Sequence, residues 1–291
     1  MLPIVFGVAT AICWAVSVLA SARSSRIGGA PQTVAGVMIV GAVLALPLAL
    51  VASPLPPTLR DPAWTVFLSA LAGAANVFGL LLTYAAYRIG AVGIIATIGS
   101  TEGAIAAVIS VLAGQTLAAG SGLVLALVAF GVLLAATSGG NEREDGVVID
   151  RARSLRAAGL ATGAAGLFGL GLFTMGHVSA TLPAAWVILP GRLVGVVVVA
   201  VPLYLTGRLR VPRSVLPLIL LVGFVEVVGI ATFSIGAAND IAITSVLASM
   251  FAPIAAVFAF VLFRERLAPR QILGIALVVI GIATLGILAG A

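Results

Sequence analysis

Long apolar segments separated by short polar breaks fill most of the chain. A helix that crosses a bilayer needs about 20 mostly apolar residues, and the pattern predicts ten such helices in this sequence. The predicted spans are 3–21, 32–52, 63–86, 91–113, 120–138, 156–176, 183–206, 214–236, 242–263 and 269–289. The chain is therefore expected to be an all-α integral membrane protein.

The breaks between the predicted spans are rich in turn-forming residues. Examples are Gly28–Pro31, Ser53–Pro57 and Arg88–Gly90, and such short links make neighbouring helices antiparallel. The one long polar stretch begins at Gly139. It predicts three parts: a five-helix region at 1–138, a linker at 139–155 and a second five-helix region at 156–291.

Composition excludes the soluble classes of protein. Of the 291 residues, 62% are apolar or aromatic and only 8% are charged, whereas soluble domains carry about 25% charged residues. The net charge of +6 comes from an excess of arginine, since lysine is absent. Arginine in cytoplasmic loops explains this excess better than nucleic-acid binding does.

The two halves resemble each other at a constant offset of 150 residues. Gly73, Val77 and Gly79 recur as Gly223, Val227 and Gly229, and further pairs are Val111-Leu112 with Val261-Leu262 and Gln115–Ala118 with Glu265–Ala268. Because five helices is an odd number, the second half must enter the membrane from the opposite side. The sequence thus predicts two inverted five-helix repeats, an architecture common in secondary transporters with the solute site near mid-bilayer.

Loop arginines predict the orientation. On the side of the central linker they number 13, against Arg60 alone on the side of the termini. The positive-inside rule places the linker in the cytoplasm and both termini outside. The expected location is a bacterial plasma membrane.

The stretch from Asp240 to Gly274 carries a family resemblance. Pro253 lies within an apolar run, Glu265-Arg266-Leu267 forms the following loop, and Gln271–Gly274 opens the last helix. This pattern resembles the EamA-type transporters of the drug/metabolite transporter superfamily. The first half departs from it, with Gly103 in place of Pro253 and Gln115 in place of Glu265. The resemblance implies a carrier of small metabolites or drugs, often outward.

Three charged residues are predicted near the midplane of the membrane. Glu102, Arg192 and Glu226 each lie about ten or more residues into a span, where a charge costs on the order of 3 kcal/mol. We expect them to share a polar cavity. Glu226 and Glu102 are candidates for proton coupling, because an apolar setting favours the neutral form of a carboxyl group. Arg192 is suited to bind an anionic group of the solute. A buried ion pair with only a structural role is the alternative.

Further candidates follow from position. Asn76 corresponds to Glu226 at the offset of 150 and is predicted to line the cavity. Trp14 lies deep enough to stack on a solute, and Tyr84 is a second candidate, whereas Trp186 and Tyr87 are expected to be interfacial anchors. Pro253 is predicted to kink its helix, either as a hinge that exposes a carbonyl group or as a static packing feature.

Several chemistries find no support in the sequence. One cysteine, Cys13, and one histidine, His177, cannot form a structural zinc site, and a chain without lysine has no Walker A motif. No cofactor and no nucleic-acid partner is expected. The resulting hypothesis is a secondary active, proton-coupled exporter, acting as a monomer or homodimer. A passive channel is the first alternative, and an intramembrane enzyme is the second.

Overall fold

The structure is a computed structural model that describes residues 1–52, 61–90, 92–116, 120–136, 151–255, 258 and 269–290. Within these ranges the chain forms helices joined by short turns. The helices are α1 (Leu2–Gly28), α2 (Ala30–Pro47), α3 (Pro62–Tyr87), α4 (Val92–Gly99), α5 (Glu102–Leu112), α6 (Ser121–Ala136), α7 (Arg151–Ser179), α8 (Ala184–Gly195), α9 (Val201–Leu205), α10 (Leu216–Ala237), α11 (Ile241–Ala248) and α12 (Pro269–Gly290).

Six helical segments of the described chain are long and apolar enough to cross a membrane. Two of them contain a π-helical turn: Leu48–Ala52 extends α2, and Val196–Ala200 joins α8 to α9. The remaining predicted spans coincide with shorter apolar helices, such as Glu102–Leu112 and Ile272–Gly281. The protein is therefore a multi-pass membrane protein.

The predicted turns agree with the structure where it describes them. α1 ends at Gly28 and α2 begins at Ala30, with Gly29 at a φ of 93° that favours glycine. α3 ends at Tyr87, before the predicted break at Arg88–Gly90. The break at Ser53–Pro57, the loop at Glu265–Leu267 and most of the linker lie outside the described residues. The helix after the linker begins at Arg151, earlier than predicted.

Two predicted continuous spans are interrupted, which corrects the sequence analysis. The span 91–113 divides into α4 and α5 at Ser100–Thr101, and the span 242–263 is interrupted at Ser249–Met250. At each break a hydroxyl group donates to the carbonyl three residues back, Thr101 to Ile98 and Ser249 to Val246, both at 2.7 Å. Such bonds compete with the helical ladder, and the apolar periodicity did not reveal them.

Helices from opposite sides of the linker make the most extensive contacts. α1 packs on α10, α3 on α7 and α8, α2 on α8 and α10, α5 on α7 and α11, and α6 on α12. α3 and α8 approach so closely that a Cβ on Gly73 would overlap the Cα of Gly191. Small residues permit such contacts between helices in a membrane. The space between these helices contains the cavity described next.

Candidate functional site: a central cavity

A cavity lies between helices from both sides of the linker. Its lining comes from α1, α3, α4, α5, α7, α8 and α10, together with Phe251. The centre of a water molecule can occupy about 100 Å³ of it, several times the ~10–15 Å³ that one water requires. Most of the wall is apolar, with a few polar groups, as is usual for small-molecule sites.

The structure brings together six of the seven predicted site residues. Trp14, Asn76, Tyr84, Glu102, Arg192 and Glu226 all line the cavity. Pro253 is not among the lining residues; it is buried in the first helical turn after the break at Ser249–Met250. Proline has no backbone N–H, and the first N–H groups of a helix have no partner within it. Pro253 therefore costs this helix no hydrogen bond.

An ion pair joins α8 to α10 at the cavity wall. The Nη2 atom of Arg192 lies 3.4 Å from Oε2 of Glu226. Oε1 of Glu226 accepts a hydrogen bond of 2.8 Å from the Ser17 hydroxyl on α1. The other terminal nitrogen of Arg192 lies 3.5 Å from the Met38 sulfur on α2. These contacts connect four helices through one buried pair.

Arg192 is directed largely towards protein. Arg192 is only 1% exposed, and a Cβ on Gly41 of α2 would lie 2.8 Å from the Nε atom of Arg192. Nε has no hydrogen-bond partner among the described residues. The guanidinium group thus contacts α2 and α10.

Glu102 has different surroundings from Glu226. It is the first residue of α5, next to the helix break, and it is 5% exposed. Glu102 lines the cavity, and no side chain in the described part of the chain forms a hydrogen bond or ion pair with its carboxyl group. A helix N-terminus favours negative charge, so the backbone supplies its principal electrostatic support.

Aromatic rings form much of the remaining wall. Trp14 stacks on Phe233 of α10 with ring centroids 6.2 Å apart, and its indole N–H is buried without a partner in the described chain. Tyr84 and Tyr87 stack with centroids 6.2 Å apart. Both tyrosines are buried, so Tyr87 lines the cavity and is not the interfacial anchor that its place near a span end suggested.

Sequence reasoning missed several residues of the site. Ser17, Tyr87 and Phe251 line the cavity, and Met38 contacts Arg192. Ser17 could have been found from its spacing: it lies one helical turn after Trp14 and one before Ser21, so the three side chains share a face of α1. No local signal identified Met38.

Comparisons with known proteins fit this architecture. Residues 1–137 match the model of the EamA-like transporter family, so the predicted resemblance to EamA-type transporters is confirmed. The match falls on the first half of the chain, which departs from the pattern of Asp240–Gly274 at Gly103 and Gln115. A family of membrane transporters accounts for the apolar spans and the central cavity together.

The fold as a whole is shared with a solved structure. A protein described only as "Crystal structure of protein" aligns over 99% of this chain and 97% of its own, with a TM-score of 0.74 and 15% identity. At that identity the likeness shows the fold alone. No curated protein matches the chain in sequence.

Proposed function

We propose that the protein is a secondary active transporter that exports a small polar or amphipathic solute in exchange for protons. The observation that carries the proposal is the central cavity between helices of both halves, which is lined by Glu102 and by the Arg192–Glu226 pair. The solute would bind there and become exposed to each side of the membrane in turn.

The helix contacts support two inverted five-helix repeats. In two such repeats the counterparts of α1, α2 and α3 are α7, α8 and α10. When each helix is exchanged for its counterpart, the α1–α10 contact becomes the α7–α3 contact, and the α3–α8 contact becomes the α10–α2 contact. The α4–α7 contact likewise becomes a contact of α11 with α1, and both α1–α11 and α4–α7 are present. The helix breaks also correspond, at Ser100–Thr101 and Ser249–Met250. Interrupted helices at matching positions are typical of transporters built from inverted repeats.

The two carboxyl groups are proposed to couple transport to the proton gradient. Glu102 binds and releases a proton at the start of α5, and Glu226 takes part through its ion pair with Arg192, which forms and loosens as the cavity changes its exposure. Asn76, Tyr84, Trp14 and Arg192 are proposed to contact the solute, because all four line the cavity. Pro253 is proposed to favour bending at the neighbouring break.

Location and orientation follow from the arginine distribution. Exposed arginines at the linker side include Arg23, Arg88, Arg156 and Arg208. We propose a bacterial plasma membrane with this side cytoplasmic. A working monomer is proposed, since both halves of the cavity belong to one chain.

Proteoliposomes test the proposed coupling. Vesicles that contain the purified protein and a pH-sensitive dye are mixed in turn with amino acids, nucleosides, sugars and cationic drugs. We expect at least one solute to drive proton movement, and Glu226→Gln to abolish it while the variant still inserts in the membrane. Gly166→Ala is the control, because a Cβ there meets nothing within 4 Å.

Two results would contradict the proposal. If solute moves only down its own gradient, at a rate that an uncoupler leaves unchanged, the protein is a passive channel. If Glu226→Gln transports like the unaltered protein at every pH, Glu226 takes no part in coupling.

A further inference from the structure

The charges of the cavity do not cancel. Arg192, Glu226 and Glu102 are the charged side chains in the described lining. Arg192 is paired with Glu226 at 3.4 Å, and its remaining contacts are with α2. One carboxyl group, that of Glu102, is left without a cation from the described residues. The cavity therefore carries one negative charge whenever both carboxyl groups are ionised.

An isolated carboxylate at this depth needs a positive charge or a proton. Desolvation of a buried charge costs several kcal/mol when nothing compensates it. Glu102 is 5% exposed and lines the cavity. The N-terminus of α5 offsets part of the cost, but it supplies only partial charge. The group that completes the site must come from the cavity itself.

The walls around that space are suited to a cation with an apolar body. Aromatic rings from several parts of the chain line it, among them Tyr84, Tyr87, Phe168 and Phe251. The faces of such rings attract ammonium groups, most strongly where water is excluded. Aliphatic side chains such as Leu80, Ile95 and Leu172 complete the wall.

We infer that Glu102 and the surrounding aromatic rings form a binding site for a monovalent organic cation. This inference rests on the proposed function and names the solute class of the same cavity. Glu102 holds either the cation or a proton, because the bare carboxylate is costly in both orientations of the transporter. When the cation binds, the carboxylic acid releases its proton to the side on which the cavity is open. One proton thus exchanges for one cation, and transport is electroneutral.

Other titratable and charged groups face the same space. They are Tyr84, Tyr87, Arg192 and Glu226. The tyrosines stay neutral at physiological pH, and the Arg192–Glu226 pair contributes no net charge. Glu102 is therefore the group whose proton the cation displaces.

Three probes with the same aromatic body and different head groups test the inference. Phenethyltrimethylammonium is cationic, 3-phenyl-1-propanol is neutral and 3-phenylpropanoate is anionic. Calorimetry on the full chain in detergent is expected to give an affinity for the cation at least about tenfold higher than for the other two, a factor that a cation–π contact in a dry site accounts for. Buffers with different ionisation heats are expected to report one proton released per cation bound.

Variants assign the effect to Glu102. We expect Glu102→Gln to lose both the preference for the cation and the proton release, and Glu102→Asp to keep both with weaker binding. Gly166→Ala is expected to bind all three probes like the unaltered protein. Should Glu102→Gln fail to elute as a single species, proton release by the unaltered chain and the Asp variant still decide the question.

Several outcomes overturn the inference. They are equal affinity for the three probes, preference for the anion, absence of proton release, and unchanged cation binding by a folded Glu102→Gln variant. A protein that exchanges protons for a different solute but does not bind the cation loses this inference and keeps the proposed function. A protein that binds the cation with proton release yet moves no solute keeps the site and contradicts the proposed transport.

Discussion

The two carboxyl groups of the cavity have opposite surroundings. Glu226 receives a hydrogen bond from Ser17 and faces Arg192, so both of its oxygens have protein partners. Glu102 begins α5 beside a helix break and has no side-chain partner among the described residues. Both residues are almost fully buried. Equal burial therefore gives two different settings: the Glu226 carboxyl group is fixed by protein partners, and the Glu102 carboxyl group has none among the described side chains.

The difference shows how burial of a charge should be interpreted in this fold. The desolvation cost of a buried ion pair is offset only in part by the attraction between its partners, and removing one partner leaves the other charge uncompensated. Replacing a buried carboxyl group that has no partner leaves no neighbouring charge uncompensated. The two residues can therefore be separated by measuring stability as well as transport.

The largest expected effect is that of Glu226→Ala. It leaves the Arg192 guanidinium buried without its carboxylate, and arginine cannot lose its charge in a protein. We expect the free energy of unfolding to fall by about 3–5 kcal/mol, measured by denaturant titration in detergent micelles. Arg192→Ala is the matched variant and is expected to cost less, because the Glu226 left behind can become protonated. An equal loss from the two variants would show that the pair is hydrated in the folded protein.

Ser17→Ala is expected to have an intermediate effect. The substitution removes a 2.8 Å hydrogen bond to a charged oxygen, and bonds of this kind contribute about 1.5–3 kcal/mol. The same titration measures the change. Ser25→Ala is a suitable control, because among the described residues that buried hydroxyl bonds a carbonyl group of its own helix, that of Ala22 at 3.1 Å, and no charged group. A loss no larger than that of the control would mean that Ser17 does not support Glu226.

Glu102→Gln is expected to have the smallest effect on stability. No described side chain loses a partner, and the amide keeps the shape of the carboxyl group. We expect the free energy of unfolding to change by less than it does in Ser17→Ala, that is by less than about 1.5 kcal/mol, because no charged hydrogen bond is lost. Denaturant titration with the unaltered protein measured in parallel checks this. A loss comparable with that of Glu226→Ala would contradict the distinction between the two carboxyl groups.

Much of the fold could be predicted because lipid imposes a simple rule on sequence. Apolar runs of sufficient length gave the positions of the spans, and Gly29 and Arg88–Gly90 gave the turns. The helix breaks could not be predicted in this way, since Ser and Thr hydroxyls at Thr101 and Ser249 interrupt helices without changing the apolar pattern. These breaks place Glu102 at a helix start, which the predicted continuous span did not.

The charged residues of the site could be predicted from the sequence, whereas residues that are common in membrane helices could not. A carboxyl or guanidinium group inside an apolar run is costly and therefore conspicuous, which identified Glu102, Arg192 and Glu226. Ser17 and Met38 are common in membrane helices, and only three-dimensional packing brings them to the pair. The pairing itself, which leaves Glu102 alone, also depended on packing, because the sequence allowed either carboxyl group to face Arg192.

The contact between Gly73 and Gly191 has a mechanical consequence. Backbone touches backbone there, with no side chain between α3 and α8. Side chains elsewhere in the interface can change rotamer and so absorb sliding, but two bare Cα atoms have no such freedom. If one half of the molecule tilts on the other during transport, as proposed, this spacing leaves little room for sliding, and the point where the two glycines meet, beside the cavity that they help to line, would be the pivot.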